Sequence, residues 1–231
     1  ATLVRCSLLN SSSAAAGGAA IVLDGELLLL DCLVRRSSST YGGAFCVNGA
    51  SSLLLQRSVI SMSSAFKGGV IYSVGDSTSF VIACDISDST ASLGGGGVIS
   101  TRRGGSVSIS RKSKISHSSA SSFGGCVYAA QNGVVSLSGG CLVSHSHAVG
   151  SGGMFACLLS VFLVNNCTIE YSKVSDALEG GGAIWLRVAS FCAISNYSTI
   201  SYSVALGESS EGGAIYLSAS TLEMSLGCRI L

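Results

Sequence analysis

Short apolar runs alternate with serine- and glycine-rich punctuation along the whole chain, and the alternation repeats. A Gly pair followed by apolar residues begins at Gly17, Gly42, Gly68, Gly96, Gly124, Gly152, Gly181 and Gly212, in steps of 25, 26, 28, 28, 28, 29 and 31 residues. A period of that length marks a solenoid, in which each repeat buries its apolar face by stacking on its neighbours. The apolar runs are short and bounded by turn residues, as buried strands are.

Aligning the repeats on one aliphatic position sorts the remaining residues into columns. That position is Leu8, Val34, Ile60, Ile86, Ile115, Val143, Ile169, Ile200 and Ile230. Three residues on stand Ser11, Ser37, Ser63, Ser89, Ser118, Ser146, Ser172 and Ser203. Six residues before it stand Leu28, Leu54, Phe80, Ile109, Leu137, Leu163, Ile194 and Met224, which the pattern assigns to one apolar column. Two before it stand Cys6, Cys32, Ser58, Cys84, Ser113, Cys141, Cys167, Ser198 and Cys228. Such columns predict an all-β, right-handed parallel β-helix of about eight coils, 25–31 residues each. At about 4.8 Å per coil the rod is roughly 40 Å long. The Gly pair falls where the chain turns sharply into a strand, and the Ser column falls at a corner, where hydroxyls bond turn backbone. Extra residues of the longer coils fall in the loop before the Gly pair, chiefly over 175–179 and 206–211.

The motifs GGAIYL at 212–217 and GGAIWL at 181–186, with ISYSVA at 200–205 and ISHSSA at 115–120, resemble the repeats of polymorphic outer-membrane proteins and related right-handed β-helix surface proteins. In those repeats a GGAI motif accompanies a second motif, F-x-x-N. Here Ile or Val stands for the Phe and Ser for the Asn, so the second motif is degenerate. The resemblance implies the β-helix fold, pectin lyase-like in architecture, and a surface protein. It does not choose between adhesins, polysaccharide lyases and structural proteins.

Composition narrows the classes further. Charged residues make 11% of the 231 residues, against about 25% in an average globular protein. Mean hydropathy is +0.57. The longest run free of charged and strongly polar side chains, 154–164, nevertheless falls short of the ~20 residues of a spanning helix. Net charge is +1, with small basic clusters only at Arg102-Arg103 and at 111–114, which argues against a nucleic-acid partner. No targeting signal is visible, and the chain starts in mid-repeat without Met, so residues 1–231 read as a single β-helix segment of a longer chain. Neither end shows a capping element, and unpaired end coils invite extension by other chains.

The candidate chemistry is sparse. Stacked cysteines such as Cys6–Cys32 and Cys141–Cys167 lie within disulfide distance, but in-register side chains point the same way. A buried thiol ladder and inter-coil disulfides therefore both stay open. No cysteine or histidine spacing of the zinc kind occurs, and no metal or cofactor is expected. His117 and His145 share a column two after the aligned position, with Asp88 before them and Tyr171 and Tyr202 after; a solvated corner is the expectation. The acids do not gather in consecutive coils as glycoside chemistry requires. The nearest approach is Asp176 and Glu179 with Glu208 and Glu211, a cation site or, for a carbohydrate-active alternative, the acids of a lyase or hydrolase. The Gly run 94–97 lacks the Lys-Ser/Thr and helix of a phosphate loop and reads as a turn. Sequons at Asn10, Asn166 and Asn196 are candidate glycan sites in a secreted protein.

The strand after each Gly pair is apolar on both faces, and a strand of that kind is normally covered on both. Tyr72, Tyr128, Met154, Trp185 and Tyr216 are the candidate interface residues, covered by a protein partner, another part of a longer chain or a second copy. Changing Trp185 and Tyr216 to Asp is then expected to spare folding and abolish association. The function expected is a non-enzymatic structural or adhesive solenoid, extracellular or at the cell surface, packing laterally or end to end. An ice-binding face is a weaker thought, because regular outward Thr arrays are missing.

Overall fold

The computed structural model describes residues 1–176, 180–207 and 212–231. Three sheets wrap one core, with nine, thirteen and eight strands, and every strand pair is parallel. This is the right-handed parallel β-helix, about eight turns long. One coil shows the plan. Glu26–Leu30 lies in the first sheet, Leu33–Arg35 and Ser38–Tyr41 in the second, and Phe45–Asn48 in the third. The aligned aliphatic column is a register column, Leu8 against Val34, Ile60, Ile86 and so on to Ile230. Its central members are fully buried, and Phe155 stacks on Phe162 across the core with ring centroids 4.2 Å apart.

The two glycines of each pair do different work. The first takes φ between +56° and +78° in all eight copies, a region that side-chain-bearing residues reach at a cost. The second is excluded from carrying a side chain by the next coil. A Cβ on Gly69 would overlap the carbonyl oxygen of Gly97, and the same holds from Gly18 through Gly182, each against the second glycine above it. Beyond the pair the chain makes a bulge. Ala44 and Phe45 both donate their N–H to the Val70 carbonyl, at 3.1 and 2.8 Å, and Met154 and Phe155 both donate to Ala183, at 3.1 and 2.9 Å. Two consecutive side chains therefore turn into the core.

The cysteine column is a hydrogen-bond ladder of free thiols and hydroxyls. Each side chain donates to its own corner: Cys32 Sγ to Leu30 O at 3.3 Å, Ser58 Oγ to Gln56 O at 3.0 Å, Cys84 Sγ to Ile82 O at 3.3 Å. Each also accepts from the backbone one coil away, as Ser58 Oγ does from Cys32 N at 3.1 Å and Cys84 Sγ from Ser58 N at 3.4 Å. The column holds only Cys and Ser because the site needs a small group that both donates and accepts. The Ser column at the next corner is likewise buried and bonds along the stack at Ser118–Ser146 and Ser172–Ser203, both 2.9 Å.

One expected column is corrected. Leu28, Leu54, Phe80 and Leu163 face outward, whereas Ile109, Leu137, Ile194 and Met224 lie on inward-facing registers with Leu29, Leu55 and Val81. The cause is the corner. Coils with one positive-φ residue there (Asp31, Arg57, Ala83, Asn166) differ by one from coils with two (Arg111-Lys112, Gly139-Gly140, Asn196-Tyr197, Leu226-Gly227). Counting back across the corner therefore changes face between coils.

Two substitution pairs test these constraints in thermal or urea melts. Gly69→Ala is expected to lose about 3 kcal/mol or more, while Gly213→Ala, where a Cβ meets no atom of the described residues within 4 Å, stays within about 0.5 kcal/mol. Equal losses would mean that coil-to-coil approach is not what selects the second glycine. Cys84→Ser is expected to be nearly neutral and Cys84→Ala to lose about 1–2 kcal/mol by orphaning the Ser58 N–H.

Candidate functional site

The outer face of the third sheet carries two register columns, and the one richer in aromatic rings is Ile21, Cys46, Tyr72, Ser100, Tyr128, Ala156, Trp185 and Tyr216. Large rings alternate with small residues, so each ring spreads over its neighbour. The chain itself covers much of this face. Phe123, from the loop before Gly124, stacks on Trp185 at 5.2 Å and on Tyr128 at 6.1 Å. Tyr41 lies 5.1 Å from Tyr72, the Arg102 guanidinium 5.3 Å from the Tyr128 ring, and the Lys67 ammonium 5.9 Å from Tyr41. Burial pushes the Tyr72 and Tyr128 phenols up.

Part of the cover expected on this face thus comes from the chain itself, and the placement of one of the five candidate residues is corrected. Met154 is 0% exposed and belongs to the core, turned inward by the bulge. Trp185, 4% exposed, and Tyr128 are held in a small cluster under Phe123. Tyr72 and Tyr216 stay half-buried. Replacing Trp185 by Asp would bury a charge in that cluster, so such a change reports on folding as well as on association.

The apolar surface left open lies on the first sheet. Leu28, Leu54 and Phe80 are register neighbours pointing outward, flanked by Val4, Leu30 and Ile82, with Phe80 42% exposed. In the next two coils the same two columns turn to Ser108, Ser136, Ser110 and Ser138, before Leu163 and Asn165 follow. The strip is thus confined to the first four coils. An exposed bidentate ion pair joins adjacent coils at its edge, Arg57 Nε and Nη2 to Asp31 at 2.8 and 3.1 Å. The Arg57 guanidinium holds the Asp31 carboxyl below its ordinary value.

At the second corner, the column two after the aligned position takes positive φ in every coil and points its side chains into solvent. His117, His145, Tyr171 and Tyr202 form a ring ladder there, with centroids 5.0, 4.8 and 4.7 Å apart and planes within 17°. Tyr202 is 64% exposed. Asp88, one coil earlier, accepts a hydrogen bond from Ser87 Oγ at 2.8 Å and is exposed. Among the described residues no three His, Cys, Asp or Glu side chains gather as a metal site. Of the acids proposed for carbohydrate chemistry, Asp176 is exposed, while Glu179, Glu208 and Glu211 lie outside the described residues.

The cysteines outside the ladder are inert by burial, which pushes Cys126 and Cys192 up to about 12 and raises Cys157. Among the described residues no helix is long and apolar enough to cross a membrane. No protein-family profile matches the chain, and neither the curated proteins nor the solved structures compared with it give a match.

The three sequons differ in placement. Asn10 and Asn166 are exposed at corners. Asn196 is half-buried, its Nδ2 donates to Asn165 Oδ1 at 3.0 Å, and the sequon hydroxyl of Ser198, 1% exposed, donates to Ser195 O at 2.6 Å. Expressed through a eukaryotic secretory route, the chain is expected to carry glycan at Asn10 and Asn166 and to leave Asn196 bare. Peptide mapping after glycosidase treatment reads this directly, and modification of Asn196 would show that the corner opens.

Proposed function

We propose that the chain is a non-enzymatic structural or adhesive β-solenoid of the extracellular space or cell surface, a rigid rod whose copies pack side by side. The observation that carries this reading is the outward apolar strip Val4, Leu28, Leu30, Leu54, Phe80 and Ile82, interrupted only by Gln56 between Leu30 and Ile82, because apolar surface of that kind marks an interaction face. A second copy suits the strip through its spacing. Its columns repeat at one strand spacing, so two such faces interdigitate row by row, as packed sheets do. The resemblance of the GGAI repeats to those of polymorphic outer-membrane proteins supports a surface location, and so do the exposed sequons at Asn10 and Asn166.

Leu54→Asp combined with Phe80→Asp tests the packing, since both side chains point away from the core. The unaltered chain is expected to sediment as concentration-dependent oligomers, and the double variant as a monomer with unchanged far-ultraviolet circular dichroism. A monomeric unaltered chain, or a double variant that assembles as well, would sink the lateral-packing reading.

A further inference from the structure

The glycine run 94–97 carries more than a turn. Gly94 and Gly95 are buried, and among the described residues their N–H groups meet no acceptor within the chain. Gly96 and Gly97, by contrast, donate to the Gly124 carbonyl at 3.0 and 3.3 Å. Side chains distant in sequence surround the unmet pair. Lys67, from the preceding coil, lies across Gly94, so that a Cβ there would stand 2.6 Å from its Cγ and 3.3 Å from its Cε. The Tyr128 ring, from the following coil, lies as close to Gly95, with its Cγ 2.6 Å from such a Cβ. Arg102 rests on that ring, and its Nε is buried without a partner. Ser100, two residues earlier on the same face of the strand, is fully buried, and its hydroxyl also lacks a partner.

The charges point the same way. Lys67 and Arg102 are both half-buried, and burial and then the Arg102 charge hold the Lys67 ammonium below its ordinary value. The ion pair Asp31–Arg57 lies at the first corner and includes neither cation; Asp76, in the turn after the strand Ile71–Val74, is exposed and pairs with neither. Among the described residues the two like charges are met only by the rings of Tyr41 and Tyr128 and the Tyr128 hydroxyl, while the Arg102 Nε–H, two backbone donors and the Ser100 hydroxyl each oppose folding unless an acceptor meets them. Five donors drawn from two coils and a turn exceed what a planar carboxylate can satisfy, and backbone N–H groups beside cations are how proteins hold oxoanions.

We propose that Gly94, Gly95, Lys67, Ser100 and Arg102 form a binding site for a tetrahedral oxoanion, sulfate or phosphate, free or carried as an ester. The site closes over no apolar groove and is independent of the lateral strip on the first sheet, so neither reading stands or falls with the other.

Titrating inorganic sulfate or phosphate into isotope-labelled protein, with sodium chloride at matched ionic strength as the control, reads the Gly94 and Gly95 amide resonances directly. Saturable shifts with a rise in melting temperature are expected from the oxoanions and not from chloride. Lys67→Met and Arg102→Met should each weaken binding by about tenfold, and Lys67→Arg should largely retain it. Glucose 6-sulfate and glucose 6-phosphate separate the sources: affinity equal to or above that of the free ion assigns an ester ligand, and loss of binding assigns the free ion. Shifts that never saturate, that chloride reproduces, or that survive in both Met variants would overturn the proposal. Should a variant unfold, the comparison of chloride with sulfate on the unaltered chain decides it.

Discussion

The fold depends on one repeat distance. Every coil must return to the same place one strand spacing above the last, because only then do its backbone groups pair with those of its neighbours. Each corner answers that demand. The second glycine of a pair lets a carbonyl of the next coil approach where a Cβ would stand. The Cys/Ser ladder gives the backbone at the first corner a side-chain acceptor in place of a strand partner. Positive-φ residues reverse the chain at the second corner, where exposure lets rings as large as Tyr171 and Tyr202 serve.

The same distance shapes the surface. When coils stack in register, any side chain repeated along the sequence becomes a ladder, and its environment is shared with the coils above and below. On the third sheet the residues just before the Gly pairs lie over the ladder, so Phe123 from a loop and Tyr41 from a strand end supply cover that a partner would otherwise supply. The strands of the first sheet end in tight corners, and there Phe80 is exposed while Leu28 and Leu54 are half-buried. The distribution of loops, rather than hydrophobicity alone, decides which apolar column is surface.

Stacking also joins residues that the sequence separates. Lys67 and Arg102 are 35 positions apart, yet they flank one turn because little more than a coil lies between them. A loop that lacks the neighbouring lysine of a phosphate loop receives one from the coil below. The chemistry of a solenoid surface is thus set across coils, and linear motifs underreport it.

The amino-acid sequence by itself determined the period, the parallel stacking, the place of the Gly pairs and the buried Cys/Ser and aliphatic columns. Those features follow from spacing within a coil, where residue count and geometry correspond. Only the tertiary structure decided which face several residues occupy. One extra positive-φ residue at a corner moves Leu163 and Ile194 to opposite sides of the same sheet, and a shared carbonyl turns Met154 inward. Because strand side chains alternate with a period of two, such single-residue shifts invert the outcome while leaving the composition of the pattern unchanged. Cover is the other matter that lay beyond the sequence. Whether Trp185 meets solvent depends on how the loop carrying Phe123 folds back, a contact that no periodicity encodes.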